Sequence, residues 1–200
     1  IQASLARIWQ AKQQIFNAPI EDIELSSDRA RSSVDSILQN SLQRSKTKVV
    51  PKPKLNGRNL IVVDDVLNTA FLDINSPAIT IPQRYNYQRQ LVDRHTLDCI
   101  LMDDRPTLLQ IFIRGNPFRG NAGLSPRVKE IYQQLLGDKK VKGVAIYGSP
   151  YVLDWFQTIM DSDLPWAFSY GQMEQSQAIA LQGLFANNQT SEFKSRDFGF

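Results

Sequence analysis

The sequence predicts an α/β fold in which a mostly parallel sheet is flanked by helices. Short apolar runs rich in β-branched residues recur along the second part of the chain, as in strands that are buried on both faces. Segments with helical periodicity alternate with several of these runs. The chain has 200 residues, 42% of them hydrophobic, which is enough for one sizeable core and an appendage.

Two helices are predicted before the first strand. The apolar residues of the first segment fall on one helical face: Leu5, Ile8, Trp9, Ile15 and Phe16. The second helix runs from Asp28 to about Arg44, with Ser27 as its N-cap and Asp28 at the positive end of its dipole. Because the sequence opens inside an amphipathic helix without a methionine, we expect it to be a piece of a longer polypeptide.

A linker is predicted next, because "RSKTKVVPKPKLNGR" has two prolines, several charges and no helical period. It should be extended and solvated. The expected organisation is therefore a helical segment over 1–45, a linker over 46–58, an α/β sandwich over 59–188 and a tail over 189–200.

Six apolar runs are predicted strands: Leu60 to Val63, Ala78 to Ile81, Cys99 to Met102, Leu108 to Ile113, Gly143 to Tyr147 and Trp166 to Tyr170. The third and fourth runs lie too close together in the sequence for a parallel crossover. We therefore expect them to form an antiparallel pair, or one of them not to be a strand.

Three helices are predicted among the later strands. The first is capped by Ser125 and ends at Gly137, the second follows Ser149-Pro150, and the third runs from about Met173 to Phe185. Together these elements predict a three-layer, flavodoxin-like sandwich preceded by N-terminal helices.

Composition and motifs argue against several classes of function. The net charge is only +3, and much of the basic excess sits in the linker, so no nucleic-acid partner is predicted. No run is long enough to cross a membrane and the start lacks the form of a signal peptide; the cytoplasm is favoured, although the compartment is left open. The single cysteine, Cys99, argues against a disulfide framework or a metal site, and no phosphate-binding or dinucleotide motif predicts a cofactor.

The loops that follow parallel strands share one edge of the sheet, where open α/β folds bind ligands. The richest loop is "RGNPFRGN", whose guanidinium and amide groups can hold hydroxyls or carboxylates and whose aromatic ring can stack on a sugar. Six residues are predicted to contact a substrate or a neighbouring domain: Arg114, Asn116, Phe118, Arg119, Tyr147 and Ser149. The alternative is that these side chains only stabilise the conformation of their own loops.

Ser149 lies between an apolar run and a helix, a position that a hydrolase nucleophile can occupy. The nucleophile elbow, however, has the form Gly-x-Ser-x-Gly, whereas Pro150 and Tyr151 follow Ser149 here. An N-cap whose hydroxyl accepts from the amide of Tyr151 or Val152 explains the serine better. No catalytic residue is predicted.

Paired carboxylates suggest an alternative function. Asp64-Asp65 and Asp103-Asp104 each follow an apolar run, so we expect both pairs at the shared edge of the sheet. This pattern is similar in part to that of a phosphoacceptor receiver domain, which holds magnesium beside a phosphorylated aspartate. The spacing between the two pairs is shorter than that family usually shows.

A broader resemblance covers nearly the whole chain. Four stretches, "SLARIWQAKQQIF", "NLIVVDDVL", "IRGNPFRGN" and "PWAFSYGQMEQSQAIALQGLF", resemble the C-terminal α/β sandwich domain of glycoside hydrolase family 3, closest to bacterial enzymes of the β-N-acetylglucosaminidase and β-glucosidase type.

The resemblance implies a partner and a function. The aspartate nucleophile of that family belongs to an N-terminal (β/α)8 barrel, which would precede Ile1 in the same polypeptide. Glu130, Glu174 and His95 match none of the family's acid/base motifs, so no catalytic residue is carried over. We expect a non-catalytic domain, inactive by itself, that packs on the barrel and helps to shape the cleft for a β-linked glycoside. A small carbohydrate-binding or interaction module is a further alternative.

Overall fold

The structure is a computed structural model that describes residues 2–16, 27–45, 49–64, 69–93, 96–97, 101, 103–113 and 124–185. Its helices are α1 (Gln2–Phe16), α2 (Asp28–Ser41), α3 (Pro77–Arg84), α4 (Pro126–Gly137), α5 (Pro150–Gln157) and α6 (Glu174–Phe185). Its strands are β1 (Gln43–Arg44), β2 (Gly57–Val63), β3 (Tyr87–Asp93), β4 (Thr107–Ile113), β5 (Val141–Gly148) and β6 (Trp166–Ser169). The chain divides into two units, Ile1–Val34 and Asp35–Phe200.

The N-terminal helices form much as predicted. On α1, Leu5, Ile8 and Trp9 are more than half exposed, while the side chains of residues 15 and 16 lie outside the described part. Ser27 caps α2 as expected, because its Oγ accepts a hydrogen bond from the Ala30 amide at 3.2 Å. α2 ends before its predicted end, and the two residues of β1 pair with β6 instead.

The sheet confirms the predicted fold class. Its strand order is β1-β6-β5-β4-β2-β3, and every pairing is parallel except that of β1 with β6. The five parallel strands follow the flavodoxin-like order, in which the first strand of the set lies between the second and the third. The strand order therefore reverses between β2 and β4.

Helices cover both faces of the sheet, which gives the three layers. Ile131, Val152 and Phe156 of α4 and α5 belong to a buried cluster with the side chains on one face of the sheet. Ile79 of α3 and Leu181 of α6 belong to the cluster on the opposite face. Successive side chains of the apolar strands point to opposite faces of the sheet and so contribute to both clusters, as expected for strands buried on two sides.

One predicted strand is a helix. The run Ala78 to Ile81 lies inside α3, and a turn just before the helix explains the difference. The Asn75 amide donates to Asp73 Oδ1 at 2.6 Å and the Ser76 amide donates to the Asp73 carbonyl at 3.2 Å. This turn places Pro77 at the first helical position, where an amide would have no partner within the helix, so that its absence costs nothing. Four apolar residues do not reveal whether a segment is helix or strand.

Strand β3 was not predicted at all. It is the edge strand next to β2, and its sequence "YQRQLVD" is largely polar because five of its seven residues are exposed or only partly buried. The predicted strand from Cys99 to Met102 falls largely outside the described residues. The runs that became β2, β4, β5 and β6 were predicted correctly.

The described part of the linker packs against the sandwich. Val50 is 4% exposed, its amide donates to the Leu184 carbonyl at 2.9 Å, and the Pro51 carbonyl accepts from Tyr87 Oη at 2.7 Å. Burial raises the pKa of that phenol to about 12. The segment is therefore anchored around Val50 and Pro51, while residues 54–56 are exposed as predicted. No helix in the described ranges is long and apolar enough to cross a membrane.

Candidate functional site

The carboxyl ends of the parallel strands meet at one edge of the sheet, which we call the carboxyl edge. The described residues there include Asp64 after β2, the turn over 69–76 before α3, Ser149 after β5, and 170–173 after β6. α4, α5 and α6 begin at this edge as well. Open parallel sheets bind their ligands at such an edge, so it is the natural candidate site.

Four of the predicted contact residues, Arg114, Asn116, Phe118 and Arg119, lie outside the described residues, between β4 and α4. Tyr147 and Ser149 are described, and β5 brings both toward the carboxyl edge. Contact of these six residues with a substrate or another domain stays a prediction.

The Tyr147 side chain belongs to the interior. It is fully buried, its ring stacks on Phe112 with centroids 4.3 Å apart, and its hydroxyl donates to Gln110 Oε1 at 3.1 Å. Burial raises the pKa of the phenol, so it remains a neutral donor. The structure therefore supports a bracing role for Tyr147.

Tyr147 is one member of a buried network of neutral polar groups. Gln110 Nε2 donates to Asn59 Oδ1 at 2.6 Å and to the Ala78 carbonyl at 2.7 Å. Asn59 Nδ2 donates to the same carbonyl at 2.8 Å. The network therefore joins three strands to α3 without placing a charge in the core, where polar groups persist only when they are hydrogen-bonded.

Gln177 of α6 extends the network to the carboxyl edge. Its Oε1 accepts from the Ala78 amide at 3.1 Å, and its Nε2 donates to the carbonyls of Phe71 and Gln172 at 2.7 and 2.8 Å. Gln172 Nε2 in turn donates to the Tyr147 carbonyl at 3.4 Å. One fully buried side chain thus holds the segment before α3 and the segment after β6 together.

Sequence reasoning missed this network, although one signal was present. A glutamine in the middle of the apolar run "LLQIFI" has no place in a purely hydrophobic strand. A buried amide of that kind requires partners. Its side-chain partners Asn59 and Tyr147 lie 51 residues before it and 37 residues after it, so only the fold could identify them.

Ser149 occupies the N-cap position of α5, but its hydroxyl does not cap the helix. The predicted hydrogen bond from Tyr151 or Val152 to this hydroxyl is therefore wrong. The serine is 4% exposed, and its amide donates to the Ile113 carbonyl at 2.9 Å. Gly148 before it has φ +108°, a conformation that suits glycine. Ser125 does cap α4, since its side chain accepts from the Val128 amide at 3.4 Å.

The opposite edge of the sheet, the amino edge, carries ion pairs. Arg105 donates to both carboxylate oxygens of Asp103, with its Nη2 2.6 Å from Oδ2, and the buried Arg58 places Nη1 3.9 Å from the same carboxylate. The hydrogen bonds from Arg105 are the main reason that the pKa of Asp103 falls to about 2. Desolvation lowers the pKa of Arg58, and Asp103 opposes that shift.

Comparison with known proteins identifies the family. Residues 50–186 match the sequence model described as the bacterial glycosyl hydrolase family 3 C-terminal domain. The chain belongs to this family. The expectation of a family 3 C-terminal sandwich domain is therefore confirmed.

Solved structures of family 3 enzymes share the fold. A β-N-acetylglucosaminidase from Paenibacillus sp. str. FPU-7 is 15% identical, with a TM-score of 0.58 over 90% of this chain and 36% of that chain. A fungal multi-domain β-N-acetylglucosaminidase is 19% identical, with a TM-score of 0.60 over 92% of this chain and 22% of that chain. The chain thus spans about a third or less of these enzymes. No curated protein gives a significant match.

The receiver-like alternative is not favoured by the family 3 match, and the geometry also counts against it. Asp64 follows β2 and lies at the carboxyl edge, whereas Asp103 precedes β4 and pairs with Arg58 at the start of β2. The seven residues of β2 separate these carboxylates by about 20 Å. The expectation of one shared edge is therefore wrong for Asp64 and Asp103. Among the described residues, no group of three or more acidic, histidine or cysteine side chains could hold a metal.

Proposed function

We propose that this family 3 domain is non-catalytic and packs through its carboxyl edge against an N-terminal (β/α)8 barrel of the same polypeptide. The parent would hydrolyse β-linked glycosides, with β-N-acetylglucosaminides favoured because two solved relatives are named for that activity. The loops of the carboxyl edge would help to shape the sugar cleft. The partial coverage of those relatives supports a larger polypeptide.

The distribution of exposed apolar side chains carries the proposal. Among the described residues of the unit Asp35–Phe200, seven large hydrophobic side chains are exposed, and four of them lie at the carboxyl edge: Ile74, Tyr151, Tyr170 and Met173. They are 71%, 67%, 53% and 63% exposed, respectively. Apolar groups concentrated on one side of a domain indicate a contact surface.

The buried network beneath this surface makes it rigid. Gln177 holds the carbonyls of Phe71 and Gln172. Phe71 lies three residues before Ile74, and Gln172 directly precedes Met173. The Tyr170 ring also meets Phe168 edge-on, with centroids 4.8 Å apart. A pre-organised surface loses little conformational freedom on binding, so it suits a lasting interdomain contact.

The first test concerns catalysis by the chain alone. The purified 200-residue chain should release no chromophore from aryl β-N-acetylglucosaminides or aryl β-glucosides, because the family's nucleophile resides in the barrel. Clear turnover by this chain would contradict the non-catalytic role.

The second test concerns the contact surface in the parent polypeptide. We expect Tyr151→Ser and Tyr170→Ser to separate the calorimetric unfolding of the sandwich from that of the barrel and to lower kcat/KM by about tenfold in combination. Leu55→Ser is the matched control, because Leu55 is 83% exposed but precedes β2 at the amino edge. Unchanged unfolding and activity in the double variant would contradict packing through the carboxyl edge.

The predicted loop residues add a finer test of the cleft. If Arg114 contacts the glycoside, Arg114→Ala in the parent should raise KM more than it lowers kcat. An unchanged KM would restrict the proposal to domain packing.

A further inference from the structure

A groove of about 930 Å³ lies at the amino edge, on the side of the domain away from the proposed barrel contact. It is formed where α4 and α5 end, where β5 and β6 begin, and where the linker passes. Its apolar lining includes Leu136, Val141, Ile159 and Leu164. A groove with this lining is suited to binding apolar side chains of a ligand.

The groove also carries charges of both signs. Lys139 lines it from the turn between α4 and β5 and Lys142 from the start of β5, while Asp161 and Asp163 line it from the connection between α5 and β6. Exposed charges around an apolar floor select a ligand with complementary charges. The matching ligand is therefore a peptide that combines apolar anchors with acidic and basic groups.

A segment of this chain has that composition. Residues 186–200, "ANNQTSEFKSRDFGF", contain Phe193, Phe198 and Phe200, three of the ten phenylalanines of the chain. The same 15 residues include two acidic and two basic side chains, Glu192, Lys194, Arg196 and Asp197. These residues lie outside the described part of the structure.

This segment follows a helix that ends beside the groove. The Leu184 carbonyl of α6 accepts a hydrogen bond from the Val50 amide at 2.9 Å, and Val49 and Pro51, the neighbours of Val50, line the groove. An extended chain of 15 residues reaches about 50 Å. The segment after Phe185 thus starts close to the groove and is long enough to reach it.

We infer that residues 186–200 dock intramolecularly in the amino-edge groove, with their phenylalanines against its apolar lining. Tethering supports this occupant over a separate peptide, because a short connection raises the effective concentration to the millimolar range. This surface is distinct from the carboxyl edge, so the inference does not depend on the proposed packing against a barrel.

Photocrosslinking in the full chain tests this inference. With p-benzoylphenylalanine in place of Phe193, irradiation should give crosslinks within one chain that map by mass spectrometry to groove residues such as Leu136, Ile159 or Leu164. The same group in place of Tyr151, at the carboxyl edge, should give no crosslink to the groove.

Charge and anchor variants sharpen the test. The double variant Lys142→Glu/Asp161→Lys should lower the fraction of groove crosslinks about threefold, because exposed charge pairs contribute modestly. Lys54→Glu/Asp154→Lys is the matched control, since these exposed residues do not line the groove. Phe198→Ser/Phe200→Ser should lower the fraction further than Asn187→Ser/Asn188→Ser. Thermal unfolding of each variant confirms that it is folded.

Three outcomes would overturn the inference. Crosslinks scattered over the surface would show that the segment has no docking site. Crosslinked dimers would show that the groove takes this segment from a second copy. Equal crosslinking in the groove and control variants would show that the groove's charges and the segment's phenylalanines do not select the contact.

Discussion

The two edges of the sheet are stabilised by different chemistry. At the carboxyl edge, neutral amides in the core hold the loops by hydrogen bonds. The fully buried Gln177 donates to one carbonyl in the segment before α3 and to one in the segment after β6. At the amino edge, charged groups hold the connection before β4, through Asp103 with Arg58 and Arg105. The carboxyl edge presents apolar side chains outward, and the amino edge pairs its charges with one another.

The difference reflects where water can reach. A buried amide network needs only complete hydrogen bonding, whereas a buried charge carries a desolvation cost of several kcal/mol. The carboxylate that faces buried Arg58 is 22% exposed, and that of Asp104, which pairs with Lys140, is 90% exposed. The carboxylates are thus placed where solvent still assists them, and the one guanidinium that is fully enclosed here, that of Arg58, lies beside such a carboxylate.

Breaking the neutral network should have the largest effect on stability. Gln177→Ala removes the partner of one amide and two carbonyls, so the free energy of unfolding should fall by about 3 kcal/mol. Urea denaturation measures this loss, and hydrogen exchange should quicken over residues 69–76 and 170–173.

Gln175→Ala is the matched control for this prediction. Gln175 lies on the same helix but is exposed, so its substitution should change stability by no more than about 0.5 kcal/mol. Equal losses from the two variants would mean that the network does not brace the edge.

Breaking the ion pairs at the amino edge should have a smaller effect. Asp103→Asn leaves the guanidinium of Arg58 buried without its opposing charge, and we expect a loss of about 1–2 kcal/mol, because the carboxylate is partly solvated. Asp104→Asn should cost less than about 0.5 kcal/mol, since an exposed pair contributes little. If urea denaturation finds Asp104→Asn as costly as Asp103→Asn, burial of Arg58 does not set the difference.

The smallest expected effect is a pH dependence at the same edge. The pKa of Asp103 is about 2 in the folded chain, against 3.8 for a free aspartate. A depressed carboxyl pKa contributes stability that is complete above about pH 4 and is lost as the pH falls toward 2. The stability difference between the native chain and Asp103→Asn should therefore shrink below pH 4. Chemical denaturation at a series of pH values checks this, and a difference that grows on acidification would contradict the assignment.

Much of the fold could be predicted because buried parallel strands are locally apolar. Strands β2, β4, β5 and β6 each contain a short, mainly apolar run of β-branched, leucine or aromatic residues, which is typical of a buried strand. The same reasoning failed for Ala78 to Ile81, because a short apolar run fits a buried helix equally well. It also missed the edge strand β3, whose exposed positions carry polar residues.

The candidate site was predicted in part. The alternation of strands and helices implies a shared edge for the loops, which is where the exposed tyrosines and Met173 lie. Asp103-Asp104 was assigned to that edge because an apolar run precedes it, whereas the structure places Asp103 before β4. Asp103 lies between two apolar runs, so its edge depends on which run joins the sheet, and tertiary contacts decide that.

The sequence by itself determined the fold class, most of the strands, the capped helices α2 and α4, and the family to which the chain belongs, because apolar runs, caps and family motifs are local patterns. Only the tertiary structure decided that Tyr147 faces the interior, that Gln177 joins two distant segments, and that Asp64 and Asp103 lie at opposite edges. Each of these depends on contacts between residues far apart in the chain, since burial and hydrogen-bond partners are set by how the layers pack.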